Sequence, residues 1–238
     1  MVWRHERMKK QLISSLLCFA LLVVMFIGST VAWFTDTASS VNTMVAGKIS
    51  IRQDEVFEQN TVILPNVTIP KKVTVTNDGN QSAYVRTLFA FEDAADGSVL
   101  GMVGHDSPVT VTFPAEPVRF KVTIADEYGQ TVSETCFTVG YYIYDGQLAV
   151  GDSYQCLNSI TVRPEADSAW MDKVGEKYEL IVLSQASQTT GLPDAPADAL
   201  NTAFAEITAE KCAVWFEYVL KNTPGYLPGG CTMTVTAI

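Results

Sequence analysis

The feature that most limits how this chain can fold is a succession of short alternating runs from Thr43 to about Gln188. In "NVTIPKKVTVTNDGN" the apolar positions are Val67, Ile69, Val73 and Val75, and an Asn-Asp-Gly turn signal follows. "SAYVRTLFAFED" places Tyr84, Arg86, Leu88 and Ala90 on one side, with Val85, Thr87, Phe89 and Phe91 on the other. "PVTVTF", "PVRFKVTIAD", "TVSETCFTVGYYIYDG", "DSYQCLNSITVRP" and "KYELIVLSQAS" continue the pattern, separated by Gly, Pro, Asp and Asn. Side chains of a strand alternate between its faces, so such runs between turn signals predict a mainly all-β chain, an antiparallel sandwich or jelly roll. The alternation also predicts one solvated face on each sheet.

Beyond Gln188 the period changes. Leu200, Phe204 and Ile207 form one helical stripe, and Cys212, Trp215, Phe216, Val219 and Leu220 a second. These predict a short C-terminal helical insertion over about 194–222, as two helices joined near Thr208 and closing at Asn222-Thr223-Pro224-Gly225. The β-branched and aromatic "VWFEYVL" leaves a strand as the alternative for the second. "CTMTVTAI" reads as a terminal strand.

The N-terminus has the layout of an export signal. Basic "RHERMKK" precedes 17 uncharged residues, Leu12 to Gly28, and small residues then lead to Ala32. The apolar stretch is longer than most signal cores and shorter than most spanning helices. Cleavage between Ala32 and Trp33 is the expectation, with a retained anchor over 1–32 as the alternative. Either way the positive charges stay inside and the remainder lies outside the cytoplasm. Four of the 16 basic and one of the 26 acidic residues precede Trp33, which leaves 12 against 25 and a net charge of −13 beyond it. That field repels phosphate backbones, so no nucleic-acid partner is expected.

Of five cysteines, Cys18 lies in the export segment. Cys136, Cys156, Cys212 and Cys231 remain, and an oxidising compartment allows them two disulfides. Cys136 and Cys156 flank Asp145-Gly146, and Cys212 and Cys231 flank "KNTPGYLPGG". Pairing within each set is favoured, with buried free thiols as the alternative.

Catalytic signals are sparse. His105 is the one histidine beyond the export segment, and HExxH, G-x-S-x-G and phosphate-loop patterns are absent. Those motifs need a second imidazole, an elbow serine or a glycine-rich turn. Glu92, Asp93 and Asp96 gather oxygens in "FEDAADGS", but the spacing is not that of an EF-hand and Asp-Gly is ordinary turn chemistry. Tyr141, Tyr142 and Tyr144 could stack on a sugar, although core packing is the commoner use of such a strand and of Trp170 and Trp215. No metal or other cofactor is expected.

Several of these segments together resemble one family: exported proteins with the SipW-dependent type of signal peptide, which includes TasA-like biofilm-matrix proteins and camelysins. The resemblance rests on "GSTVAWFTDTASSVNTMVAGKISI", then on "VTIPKKVTVTNDGNQSAYVRTLFAFED", "YYIYDGQLAVGDSYQCLNSITV" and "YELIVLSQASQ". It implies a jelly-roll-like sandwich of a bacterium of Gram-positive type, clipped by a dedicated signal peptidase and secreted to the cell surface or matrix. In fibre-forming members the freed N-terminal segment adds as a strand to the next subunit, main-chain bonds giving affinity and alternate side chains filling pockets. Carried onto this chain, the donor is 33–43, extending to about Val45, with Trp33, Phe34, Val41 and Val45 as anchors. The domain proper would be 44–238. The implied partners are further copies of the chain and other matrix or surface proteins. The mature cysteines and the "KCAVWFEYVLKNTPGYLPGGC" extension depart from the short members. Two other readings stand beside the non-enzymatic fibre subunit: a surface-bound peptidase or glycosidase, and a membrane-anchored ligand- or carbohydrate-binding module.

Overall fold

A computed structural model describes residues 47–57, 65–93, 101–103, 106–163 and 178–238. The alternating runs become two antiparallel sheets. One has four strands in the order β1 (Ile51–Phe57), β2 (Thr68–Asn77), β7 (Ser153–Val162) and β4 (Gly101–Val103). The other has five: β8 (Leu180–Gln188), β3 (Ala83–Asp93), β6 (Thr131–Ile143), β5 (Arg119–Ala125) and β9 (Thr232–Ala237). Two helices, α1 (Pro196–Phe204) and α2 (Ala209–Lys221), intervene before β9. The expected antiparallel β-sandwich with a short helical insertion is the fold.

The four-stranded sheet keeps the anticipated solvated face: β2 buries Ile69, Val73 and Val75 while Thr68, Pro70 and Lys72 are exposed. The five-stranded sheet departs from this at β3. Every residue of β3 is buried, because both of its faces are covered. Val85, Phe89 and Phe91 meet Val73, Val75 and Leu157 in the core between the sheets. Leu88 and Ala90 point the other way, joining Phe120, Phe137 and Phe216 in a second core beneath the helices. There the ring of Phe120 stacks between Phe137 at 5.1 Å and Phe216 at 5.0 Å. Stacked aromatics add attraction beyond their apolar burial.

The ambiguous run "VWFEYVL" is helical. Thr208 caps α2 by accepting from the Lys211 amide at 3.3 Å, with Glu210 in the first turn and Lys221 in the last. Each charge opposes the helix dipole at its own end. Helical spacing then buries Cys212, Phe216 and Leu220 together and leaves Val214 and Tyr218 exposed.

Two turn signals carry the chain between sheets rather than into hairpins. Asn77-Asp78-Gly79 leads from β2 to β3, and Asp145-Gly146 from β6 to β7. At the first, a Cβ on Gly79 would stand 2.4 Å from the Lys48 carbonyl oxygen. The run from residue 47 lies against this turn, with Lys48 donating to Asn80 Oδ1 at 2.6 Å before β1 begins. β1 and β8 share one flank of the sandwich, stitched by Gln53. Its amide donates to the Val182 carbonyl at 3.1 Å and accepts from Ser184 Oγ at 2.7 Å. β9 forms the opposite edge of the five-stranded sheet.

Candidate functional site: sheet edges and buried polar clusters

Exposed strand edges invite pairing with other chains, and proteins blunt them with charge, proline or cover. Three edges here are blunted. β1 carries Arg52, which pairs with Asp54 and, at 2.9 Å, with Asp78. The β8 edge is occupied in part by Gln53. Beyond three-residue β4, the β7 edge is met by Ser107, whose hydroxyl accepts from the Asn158 amide at 3.2 Å. β9 differs. Its sequence, TMTVTA, has neither charge nor proline, Thr232, Thr234 and Thr236 are exposed, and among the described strands it pairs only with β5.

The anticipated donor residues and cleavage point, Ala32, Trp33, Phe34, Val41 and Val45, lie outside the described residues, as do Asp96, His105 and Trp170. The four cysteines are free thiols. Cys136 and Cys156, on either side of Asp145-Gly146, are not paired. They stand instead on β6 and β7, in different sheets, since Asp145-Gly146 is an inter-sheet corner. Cys156 is buried and donates to the Val73 carbonyl at 3.4 Å. Cys212 lies in the helix-side core, with half-buried Cys231 packed against that core.

The acidic pair at the end of β3 does not converge on one ion. Adjacent strand residues point to opposite faces, and Asp93 is held by Arg119 at 2.9 and 3.2 Å and by the Thr138 hydroxyl. Glu92 turns to the helix-side core, where its Oε2 accepts from the Glu179 amide at 2.6 Å. Burial raises its carboxyl to about 8, an effect that the amide opposes and the Glu179 and Asp93 charges reinforce. Tyr226, from the segment joining α2 to β9, donates to Glu179 Oε2 at 3.1 Å. Among the described residues, no three His, Cys, Asp or Glu side chains gather as metal ligands.

Arg86 is the largest fully buried side chain described. Nε donates to Gln185 Oε1 at 2.7 Å, Nη1 to Asn201 Oδ1 at 3.0 Å, and Nη2 to the Ala205 carbonyl at 3.1 Å. The guanidinium also lies over Trp215 at 5.1 Å and Phe204 at 5.6 Å. Burial lowers it to about 10, partly offset by the Cys212 thiol, so it stays charged at neutral pH. Its chemistry is that of a clamp between β3 and the helices. The sequence signal was an arginine on the Leu88–Ala90 face; Glu179 and Tyr226 carried no comparable signal.

Tyr142 and Tyr144 pack into the sandwich, while Tyr141 is half-buried on β6. Tyr142 and Tyr144 lean on Tyr154, ring centres 5.9 and 4.8 Å away, and Tyr154 bonds Thr87 Oγ1 at 2.9 Å. Both are half-buried against the inter-sheet core. No family model matches the chain, and no curated protein matches it.

Proposed function

We propose that this chain is a secreted, non-enzymatic structural subunit of cell-surface or matrix fibres, assembling head to tail by strand addition. The N-terminal segment from Trp33 to about Val45, freed by cleavage after Ala32, is the donor, and the outer edge of β9 on the next copy is the acceptor. The supporting observation is the placement of the flanks. The chain enters the sandwich at β1, whereas the uncharged edge of β9 is on the opposite side of the fold. A donor that precedes β1 in the chain and an acceptor at β9 are different surfaces, so their contact is heterologous and propagates as an open chain rather than closing as a two-fold dimer. Asp36 is the one charged side chain of the donor, so the rest of its length suits an uncharged edge.

Electron microscopy and sedimentation of 33–238 and of a 43–238 truncation test this reading. Assembly by the first and not by the second is expected. If the two behave alike and neither assembles under any condition, strand addition is wrong. N-terminal sequencing of the exported protein checks the cut.

A further inference from the structure

We propose that Glu92, Glu179 and Tyr226 form a proton-dependent latch that seats the connector between α2 and β9. Three separate segments meet at this point: the end of β3, the start of β8 and the connector over 222–231. The backbones of Glu92 and Glu179 are joined by the Glu92 amide donating to the Glu179 carbonyl at 3.0 Å. In return the Glu179 amide donates to the Glu92 carboxyl, and the Glu179 carboxylate accepts from Tyr226. Tyr226 and Leu227 pack on the core into which Glu92 points, so the connector helps to keep Glu92 from water. Glu92 is 6% exposed.

Among the described residues, the groups that act on Glu92 are acidic or neutral: Glu179 just before β8, Asp93 beside it on β3, and the Tyr226 phenol from the connector. From β6 its register partner is apolar Phe137, and Arg119 is bound to Asp93. Burial, helped by the Glu179 charge, holds the phenol above its usual value, so Tyr226 remains a donor across the physiological range. A proton on Glu92, whose carboxyl holds it up to about pH 8, therefore favours the closed latch. Opening exposes Glu92 to water and releases that proton, so rising pH favours the open connector until the closed form has itself ionised. The latch is independent of strand addition.

Hydrogen exchange over 222–231, corrected for the base-catalysed intrinsic rate, tests it. In the wild-type protein, protection should fall at least about tenfold between about pH 6 and pH 8 and then level off. Glu92→Gln, which keeps an acceptor for the Glu179 amide, should remove the pH dependence. Amides of β3 and β6 should stay protected in both proteins. A flat wild-type profile, an unchanged slope in Glu92→Gln, or parallel loss of protection in β3 overturns the latch. Should Glu92→Gln fail to fold, carboxyl carbon NMR of the wild type decides: a Glu92 midpoint near pH 8 supports the latch, and an ordinary carboxylate midpoint overturns it.

Discussion

The guanidinium of Arg86 reaches from β3 to the Ala205 carbonyl at 3.1 Å, just where the backbone between α1 and α2 is most strained. Ala205 has φ 76° and ψ 170°, a region that suits glycine alone. The bond and the strain belong together, since three neutral acceptors around one buried cation hold the junction in place. Ala205→Gly should relieve strain of about 1–3 kcal/mol, less about 0.5–1 kcal/mol from the added freedom of the unfolded chain. A net gain near 1 kcal/mol in urea unfolding is expected. Arg86→Lys cannot satisfy the planar fork and should cost about 2–4 kcal/mol in the same assay.

The Glu92 carboxyl makes global stability depend on pH. Its native value, about 8, is raised from 4.5, so between those values the folded protein holds a proton that the unfolded chain has released. Stability contributed by that proton is complete below the lower value, declines as pH rises, and is gone above about 8. Glu92→Gln should therefore be more stable than wild type by a few kcal/mol at alkaline pH and nearly equal to it near pH 4.5. Urea midpoints across that range read this directly.

Lysine at exposed edge positions is a natural block to strand pairing. The double substitution Thr234→Lys/Thr236→Lys alters the outer surface of β9 and leaves buried Met233 in place. Monomer stability should change by less than about 0.5 kcal/mol. Fibres of 33–238 should be lost or much reduced by electron microscopy, and persistence of normal fibres would move the acceptor elsewhere.

Thiol reactivity should follow burial. Cys156 and Cys212 are pushed up to about 12 by burial, Arg86 pulling the second partly back. Cys136 is also raised, by burial and then by Asp93, but is only half-buried, as is Cys231. Alkylation of the native protein at about pH 8 should label Cys136 and Cys231 first, and Cys156 and Cys212 only after unfolding. Mass spectrometry of both forms gives the answer, and a 2 Da deficit per pair, as expected of about two lost hydrogens, would reveal disulfides instead.

The sandwich was legible because period-2 alternation leaves few alternatives, and Val73, Val75, Val85 and Phe89 lie where it put them. Topology was less so. Asp145-Gly146 has the same local chemistry in a hairpin as in an inter-sheet corner. The choice is made by Leu148, a buried residue whose amide and carbonyl bond Ala83 at 2.8 and 3.0 Å and draw the chain away from β6. The covered second face had a signal in retrospect: "TLFAF" is apolar on both sides of its strand, as continuous runs in doubly buried strands are. The Glu92–Glu179–Tyr226 cluster had none, as its members are 87 and 47 residues apart along the chain.

β3 gives Val85, Phe89 and Phe91 to one core and Leu88 and Ala90 to the other. Neither core can melt while the other survives intact, because each would have to give up the same backbone. The helical insertion is thus no separable appendage. Heating should dissolve both layers in one calorimetric peak, and damage under α2 should be felt in the inter-sheet core.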